Sequence, residues 1–169
     1  MDYLVRLYDL PPEQPLPAGF ALHRPLPHQA GPVLDFIAGG FSEAWADESR
    51  VAFSRMPVSL WVALREGQDP TSGLPVEGFC CYDCTFRGFL GPVGVAGSAR
   101  GSGLGKALVL RCLHSMWALG YAYAIVGGVG PGGFFERVCG ATAIPGSDPG
   151  PYLRRLSAFQ DSVQDPPAR

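Results

Sequence analysis

The sequence predicts an α/β domain built on a mixed, mostly antiparallel sheet flanked by helices. Three observations carry that expectation. The β-rich runs Val58 to Leu64, Val76 to Thr85 and Phe89 to Val95 follow one another with turn residues between them, the pattern of an antiparallel meander. A glycine-rich segment, Gly101 to Gly105, then opens an apolar helix that runs to Leu119 and stops at Gly120. Finally, 169 residues with 47% hydrophobic and 17% charged side chains supply one sizeable core and leave little for a second.

The elements follow in order. Residues Tyr3 to Tyr8 alternate as a strand would and stop at Asp9-Leu10-Pro11-Pro12, after which the proline-rich stretch to Pro17 reads as an extended connector. An amino-terminal strand or arm over 1–18 therefore precedes the main body. Phe20 to Arg24 is a second short strand, ended by Pro25-Leu26-Pro27. The spacing of Val33, Leu34, Phe36 and Ile37 predicts a short helix closed by Gly39-Gly40, and Ser42 is placed to cap another that carries Trp45 and ends before Pro57. After the meander and the long helix, Tyr121 to Val126 reads as a buried strand and Phe134 to Cys139 as a short helix closed by Gly140. Ala141 to Ile144 and Pro151 to Leu156 are expected to add a final hairpin, giving one domain over 1–160 and a fraying tail over 161–169.

Charge and cysteine content exclude several classes. Thirteen Lys and Arg against fifteen Asp and Glu give a net charge of −2, so no global field favours nucleic acid or an anionic membrane. No apolar run is long enough for a membrane span, and the first residues lack the basic patch and apolar stretch of a secretory signal, so a cytoplasmic location is expected. Five cysteines are an odd number for a disulfide framework. Cys81 and Cys84 are spaced C-x-x-C, but Cys112, His114 and Cys139 supply no second matching pair, so no metal site is expected. Trp45, Trp61 and Trp117 are read as core, and His114 as a structural histidine on the long helix.

The segment that carries chemistry is Gly94-Val95-Ala96-Gly97-Ser98-Ala99-Arg100-Gly101-Ser102-Gly103-Leu104-Gly105-Lys106, where a strand ends and a helix begins. A helix start leaves about four backbone N–H groups without intrahelical partners and carries a positive partial charge, so a phosphate is stabilised there. Gly101, Gly103 and Gly105 remove side chains that would block its approach, while Arg100 and Lys106 bring two cations to the same place. A Walker loop fails, because Arg100 stands where its first glycine is needed and Ala107 follows the lysine. A Rossmann fingerprint fails as well: Lys106 breaks the pattern and a meander precedes the loop.

The spacing Arg100-x-x-Gly103-x-Gly105, five residues after Val95, resembles the coenzyme A loop of the GNAT superfamily of N-acetyltransferases, and the order of elements from about residue 20 to 145 is similar to that family's. Phe134-Phe135-Glu136-Arg137-Val138-Cys139-Gly140-Ala141 resembles its short helix and the turn that follows. The resemblance implies acetyl-CoA as cosubstrate, its pyrophosphate held by the N–H groups of Gly101, Ser102, Gly103, Leu104, Gly105 and Lys106 and its pantetheine arm paired with Val93, Gly94 and Val95, close to Phe134 and Phe135. It implies acetyl transfer to a primary amine of a small molecule, with polyamine, amino acid and aminoglycoside all open. The other reading within the family is a sensor or partner-binding module that holds acyl-CoA without transferring it; a nucleotide-phosphate binder is a third class.

Transfer needs a base for the amine and often an acid for the leaving thiolate. The family's frequent acid is a tyrosine where this chain has Phe135; Tyr82, Tyr121, Tyr123, Tyr152 and Cys139 are substitutes in principle. Asp83 and Glu77, on the central strand, are the candidate bases, with Tyr82 beside them. Gly103→Val is expected to abolish cosubstrate binding and leave folding intact. Apolar residues on more than one side of the long helix call for a second layer or a partner subunit, and with the arm they offer a surface for homodimerisation.

Overall fold

A computed structural model describes residues 1–67, 75–130 and 133–153. The predicted meander forms three strands, β3 (Leu60–Arg65), β4 (Val76–Tyr82) and β5 (Phe89–Val95), paired antiparallel. The strand β2 (Phe20–His23) lies antiparallel against β3, and β6 (Tyr123–Val126) lies parallel against β5. With β1 (Tyr3–Arg6) and β7 (Thr142–Ala143) they make one seven-stranded sheet in the order β2-β3-β4-β5-β6-β1-β7. The mixed, mostly antiparallel sheet is as expected, with β5 and β6 as its parallel pair.

Helices cover both faces. On one lie α1 (Ala30–Gly40) and α2 (Glu43–Arg50), the second capped by Ser42, whose Oγ accepts from the Trp45 N–H at 3.2 Å. Their buried Val33, Ile37 and Ala46 pack on Leu60, Val62, Phe79 and Cys81. On the other face lies α3 (Leu104–Ala118), with Leu108, Leu110, Leu113 and Met116 packed on Cys80, Tyr82 and Leu90, joined by α4 (Phe134–Cys139) through Phe135 and Val138. The period-2 alternation of β4 thus feeds two cores, Cys80 and Tyr82 to one and Phe79 and Cys81 to the other.

The expected amino-terminal strand forms, in a place the sequence did not specify: β1 sits inside the sheet, antiparallel to β6 on one side and to β7 on the other. The proline connector that follows lies along α3, where Pro11 O meets His114 Nε2 at 3.0 Å and Glu13 pairs with Arg111 at 2.6 Å. Pro17 reaches the other end of that helix beside Gly103. The second layer demanded by the apolar helix is therefore supplied in part by the chain's own first residues. The final hairpin is different, because Thr142–Ala143 pairs with β1, and Gly150–Leu153 is a single turn of 3-10 helix. Residues 154–156, the predicted tail and the end of the turn after β3 lie outside the described residues.

Several boundaries shift by a few residues. β4 stops at Tyr82 instead of Thr85 because Asp83 adopts a left-handed φ of 58° that starts the turn. Val51–Ser54 finishes α2 as a 3-10 turn, where the β-branched Val51 no longer continues the helix.

Candidate functional site

The glycine-rich loop is where the sequence places it, between the end of β5 and the start of α3. Gly97–Ala99 forms a 3-10 turn, and Gly101 and Gly103 take φ values of +79° and +93° that side chains rarely adopt. These turns aim the first N–H groups of α3 outward. Leu104 N–H is taken by Ser102 Oγ at 3.3 Å and Ala107 N–H by Gly103 O at 3.1 Å, but the N–H groups of Gly101, Gly103, Gly105 and Lys106 find no acceptor among the described residues. An α-helix of 15 residues directs its positive end at this cluster. Arg100 is exposed and donates from Nε to Val95 O at 3.3 Å; Lys106 is half-buried one turn into the helix. Because Gly103 sits at positive φ, Gly103→Val strains the fold as well as the loop, so the expected survival of folding is revised.

Next to the loop the sheet divides. β5 and β6 pair through Phe89 with Ile125 and Leu90 with Val126, where β6 ends while β5 runs on, and the other side of β6 pairs with β1 along its whole length. The Asp2 carboxylate, 6% exposed, accepts from the Gly128 N–H at 3.0 Å, and Met1 O accepts from the Val129 N–H, so the first residues hold this wall away from β5. The β6-facing edge of Val93 to Val95 has no strand partner among the described residues, while its other edge pairs with Gly78 to Cys80. Gly94 is required here by close approach, since a Cβ would lie 2.5 Å from the Phe41 ring and 2.8 Å from Phe79. Phe134, 38% exposed, stands at the start of α4 with its Cζ about 3.7 Å from where a Gly105 Cβ would project; Phe135 is buried against it in the core. Val95 Cγ2 lies about 3.5 Å from the same point, so the end of β5, the loop and Phe134 meet around Gly105.

An open cavity of about 850 Å³ lies on the α1–α2 side of the sheet. Its walls are α2 (Ser42, Trp45, Glu48), the β4–β5 turn (Cys84, Thr85, Phe86), the irregular start of β5 (Leu90, Gly91, Pro92) and Gly127 and Gly128 after β6. An extra residue in β5 between Leu90 and Val93 makes a bulge, which turns Gly91 and Pro92 toward this space. Glu48 and Trp45 are site residues that sequence reasoning missed or set aside. Trp45 is stacked on Phe41 at 5.7 Å with 37% of its surface exposed, so it is a cavity wall as well as core; Trp117 is 48% exposed on α3.

The predicted catalytic groups are engaged elsewhere. Asp83 is 5% exposed; its carboxylate accepts from the Gly88 N–H at 2.6 Å and the Tyr121 hydroxyl at 2.7 Å, closing the β4–β5 turn. Burial, and then the Asp83 hydrogen bond, push the Tyr121 phenol up from its ordinary value. Glu77 forms an ion pair with Arg65 at 2.9 Å and accepts from Ser98 Oγ at 3.0 Å, tying β3 to the loop. Its neighbour Gly78 faces Val95, at the loop end of the strands, whereas the cavity begins at Leu90 to Pro92. Tyr82 lies in the α3 core and accepts from Arg24 Nη1 at 3.2 Å; burial raises its phenol. Burial likewise raises the Cys139 thiol, to about 11, and Tyr123 is turned toward Tyr8 at the surface. The side chain of Tyr152 lies outside the described residues. Among the described residues no cluster of three His, Cys, Asp or Glu could hold a metal ion.

The profile of the Acetyltransferase (GNAT) family matches residues 18–141. The chain belongs to this GNAT acetyltransferase family. Its fold is similar to a GCN5-related N-acetyltransferase from Sphaerobacter thermophilus, with a TM-score of 0.61 and 18% identity over 83% of this chain and 47% of that one. A fungal GCN5-related glucosamine N-acetyltransferase region gives 0.62 at 17% identity, covering 82% and 19%. A GNAT family acetyltransferase from Brucella melitensis, solved with acetyl-CoA, gives 0.53 at 18% identity, covering 70% and 80%. This chain thus spans about half or less of the first two. No curated protein matches it.

Proposed function

We propose that the GNAT domain binds acetyl-CoA and transfers its acetyl group to the primary amine of a small acceptor. The observation that carries this reading is the coincidence, around Gly105, of N–H groups without an acceptor at the start of α3 and a strand edge at Val93 to Val95 without a strand partner, both among the described residues. The first suits a pyrophosphate, the second an amide-bearing arm that pairs like a strand. The acetyl-CoA complex of the Brucella protein supports the choice of cosubstrate.

In this reading Gly101, Gly103, Gly105 and Lys106 donate backbone N–H groups to the pyrophosphate, with Arg100 and Lys106 adding charge. Val93 to Val95 fix the depth of the pantetheine arm, and Phe134 covers it against water. The thioester then lies where β5 and β6 part, facing the cavity. Phe135 has no hydroxyl and Tyr82 and Tyr121 point elsewhere, so the departing sulfur takes its proton from the attacking nitrogen in place of a side-chain acid.

Calorimetric titration with acetyl-CoA, CoA and ATP, followed by assay of free thiol on addition of amines, tests this. Binding of acetyl-CoA with amine-dependent thiol release is expected. Binding without release would leave an acyl-CoA sensor, preference for ATP a nucleotide binder, and absence of binding would overturn both CoA readings.

A further inference from the structure

The geometry points to Glu48 as the group that receives the acceptor's ammonium and takes its proton, and to an aromatic or apolar amine without a carboxylate as the acceptor class. This rests on the acetyl-transfer reading above.

Glu48 is the one charged residue among the described residues that line the 850 Å³ cavity. It projects from α2 across to the β4–β5 turn, where the Thr85 hydroxyl donates to Oε1 and fixes the carboxylate. Its other oxygen meets no donor among the described residues, so it has lone pairs available to a ligand. A half-buried carboxylate with one orienting hydrogen bond and no ion pair among the described residues suits a cationic guest.

The remaining walls decide what the amine is attached to. Trp45, held by stacking on Phe41 and edge contact with Phe79, and Phe86, 5.1 Å from Phe89, present 37% and 43% of their surfaces. A ring fixed as Trp45 is takes an apolar or aromatic body and adds cation–π attraction near the ammonium. Among the described residues no Lys, Arg or His lines the cavity to receive a carboxylate, and Glu48 repels one. Amino acids are therefore disfavoured, and so are polyamines, whose second charge has no partner among the described residues.

The step balances without another reactant. Glu48 takes one proton from the ammonium, the freed nitrogen lone pair forms the C–N bond to the thioester carbonyl carbon, and the C–S bond breaks. The departing sulfur takes a second proton from that nitrogen, and Glu48 returns the first to solvent through the open cavity.

The test compares the protein with Glu48→Gln, using 2-phenylethylamine and phenylalanine, which share a ring and an amine and differ by one carboxylate. The unsubstituted protein is expected to favour 2-phenylethylamine by about tenfold or more in kcat/KM, as one unpaired buried charge implies. Glu48→Gln is expected to lose about 100-fold on that amine, the usual scale of a general base, and to narrow the preference between the two, with acetyl-CoA affinity unchanged. Turnover of 2-phenylethylamine by Glu48→Gln within about threefold of the unsubstituted protein overturns the inference. So does a preference for phenylalanine, or binding of acetyl-CoA with acetylation of neither amine. Failure of the unsubstituted protein to bind acetyl-CoA instead overturns the parent reading, and this one with it. If Glu48→Gln loses acetyl-CoA binding, Thr85→Val replaces it: the carboxylate stays but is no longer oriented, and an unchanged kcat/KM for 2-phenylethylamine then overturns the assignment.

Discussion

Asp83→Ala should cost stability before it costs chemistry. The Asp83 carboxylate is buried and accepts two short hydrogen bonds, from the Gly88 N–H at 2.6 Å and from the Tyr121 hydroxyl at 2.7 Å. Hydrogen bonds to a charged group contribute about 1.5–3 kcal/mol each. Tyr121 is partly exposed, so water replaces part of its loss, and the sum falls to about 3 kcal/mol. The φ of 58° adds up to about 1 kcal/mol, because aspartate tolerates the left-handed region better than alanine. Urea unfolding at neutral pH should show a loss of about 3–4 kcal/mol for Asp83→Ala and about 1 kcal/mol for Asp83→Asn, whose amide keeps the Gly88 acceptor and the tolerance of positive φ. Thiol release by the folded fraction of Asp83→Asn should stay within a few-fold of the unsubstituted protein. An Asp83→Ala variant within about 1 kcal/mol of the unsubstituted protein, yet without turnover, would refute the structural reading and restore Asp83 as a base.

Three further outcomes follow from the same contacts. Gly94→Ala should destabilise the protein by about 1–3 kcal/mol in urea unfolding, since its Cβ has to displace the Phe41 and Phe79 rings from 2.5 and 2.8 Å. Iodoacetamide at pH 8 should label Cys84 first, read by peptide mass mapping: it lines the cavity and a hydrogen bond from Cys81 leads the causes that lower its pKa, whereas burial raises Cys80 and Cys81 and holds Cys139 near 11. Burial, followed by the Asp83 contact, raises the Tyr121 phenol, so its contribution to stability is complete below the ordinary tyrosine value of about 10 and is lost as pH climbs through the raised one. Tyr121→Phe should therefore lose stability less steeply between pH 9 and 11, measured as the urea midpoint; an unchanged slope counts against the assignment.

What the sequence disclosed was local. The strand Phe89–Val95, the loop after it and the helix Phe134–Cys139 lie where short-range turn and capping chemistry put them. Glycines at 101 and 103 report a backbone that needs positive φ whatever surrounds it. The cavity was hidden because its parts are distant in sequence: Glu48 meets Thr85 only after α2 has been folded over the sheet. Asp83 and Glu77 stand out as candidate bases because a carboxylate on a central strand is conspicuous, while spacing says nothing about the Gly88, Tyr121, Arg65 and Ser98 partners that engage them. The place of β1 was equally out of reach, since its alternation fits any sheet edge and its partners lie beyond residue 120.

That placement of β1 has a consequence for how the protein is born. Tyr3 and Leu4 pair with residues between 125 and 143, among the longest-range contacts the chain can make. At roughly 5–20 residues per second, a ribosome needs about 7–28 seconds to deliver those partners after the first strand has emerged. The meander can assemble meanwhile, but the clamp of Asp2 on Gly128 is among the last contacts to close. Competence to hold a ligand therefore waits until residues 123–143 have been made, and a nascent chain stalled before residue 126 would carry the complete glycine loop without the wall that faces it.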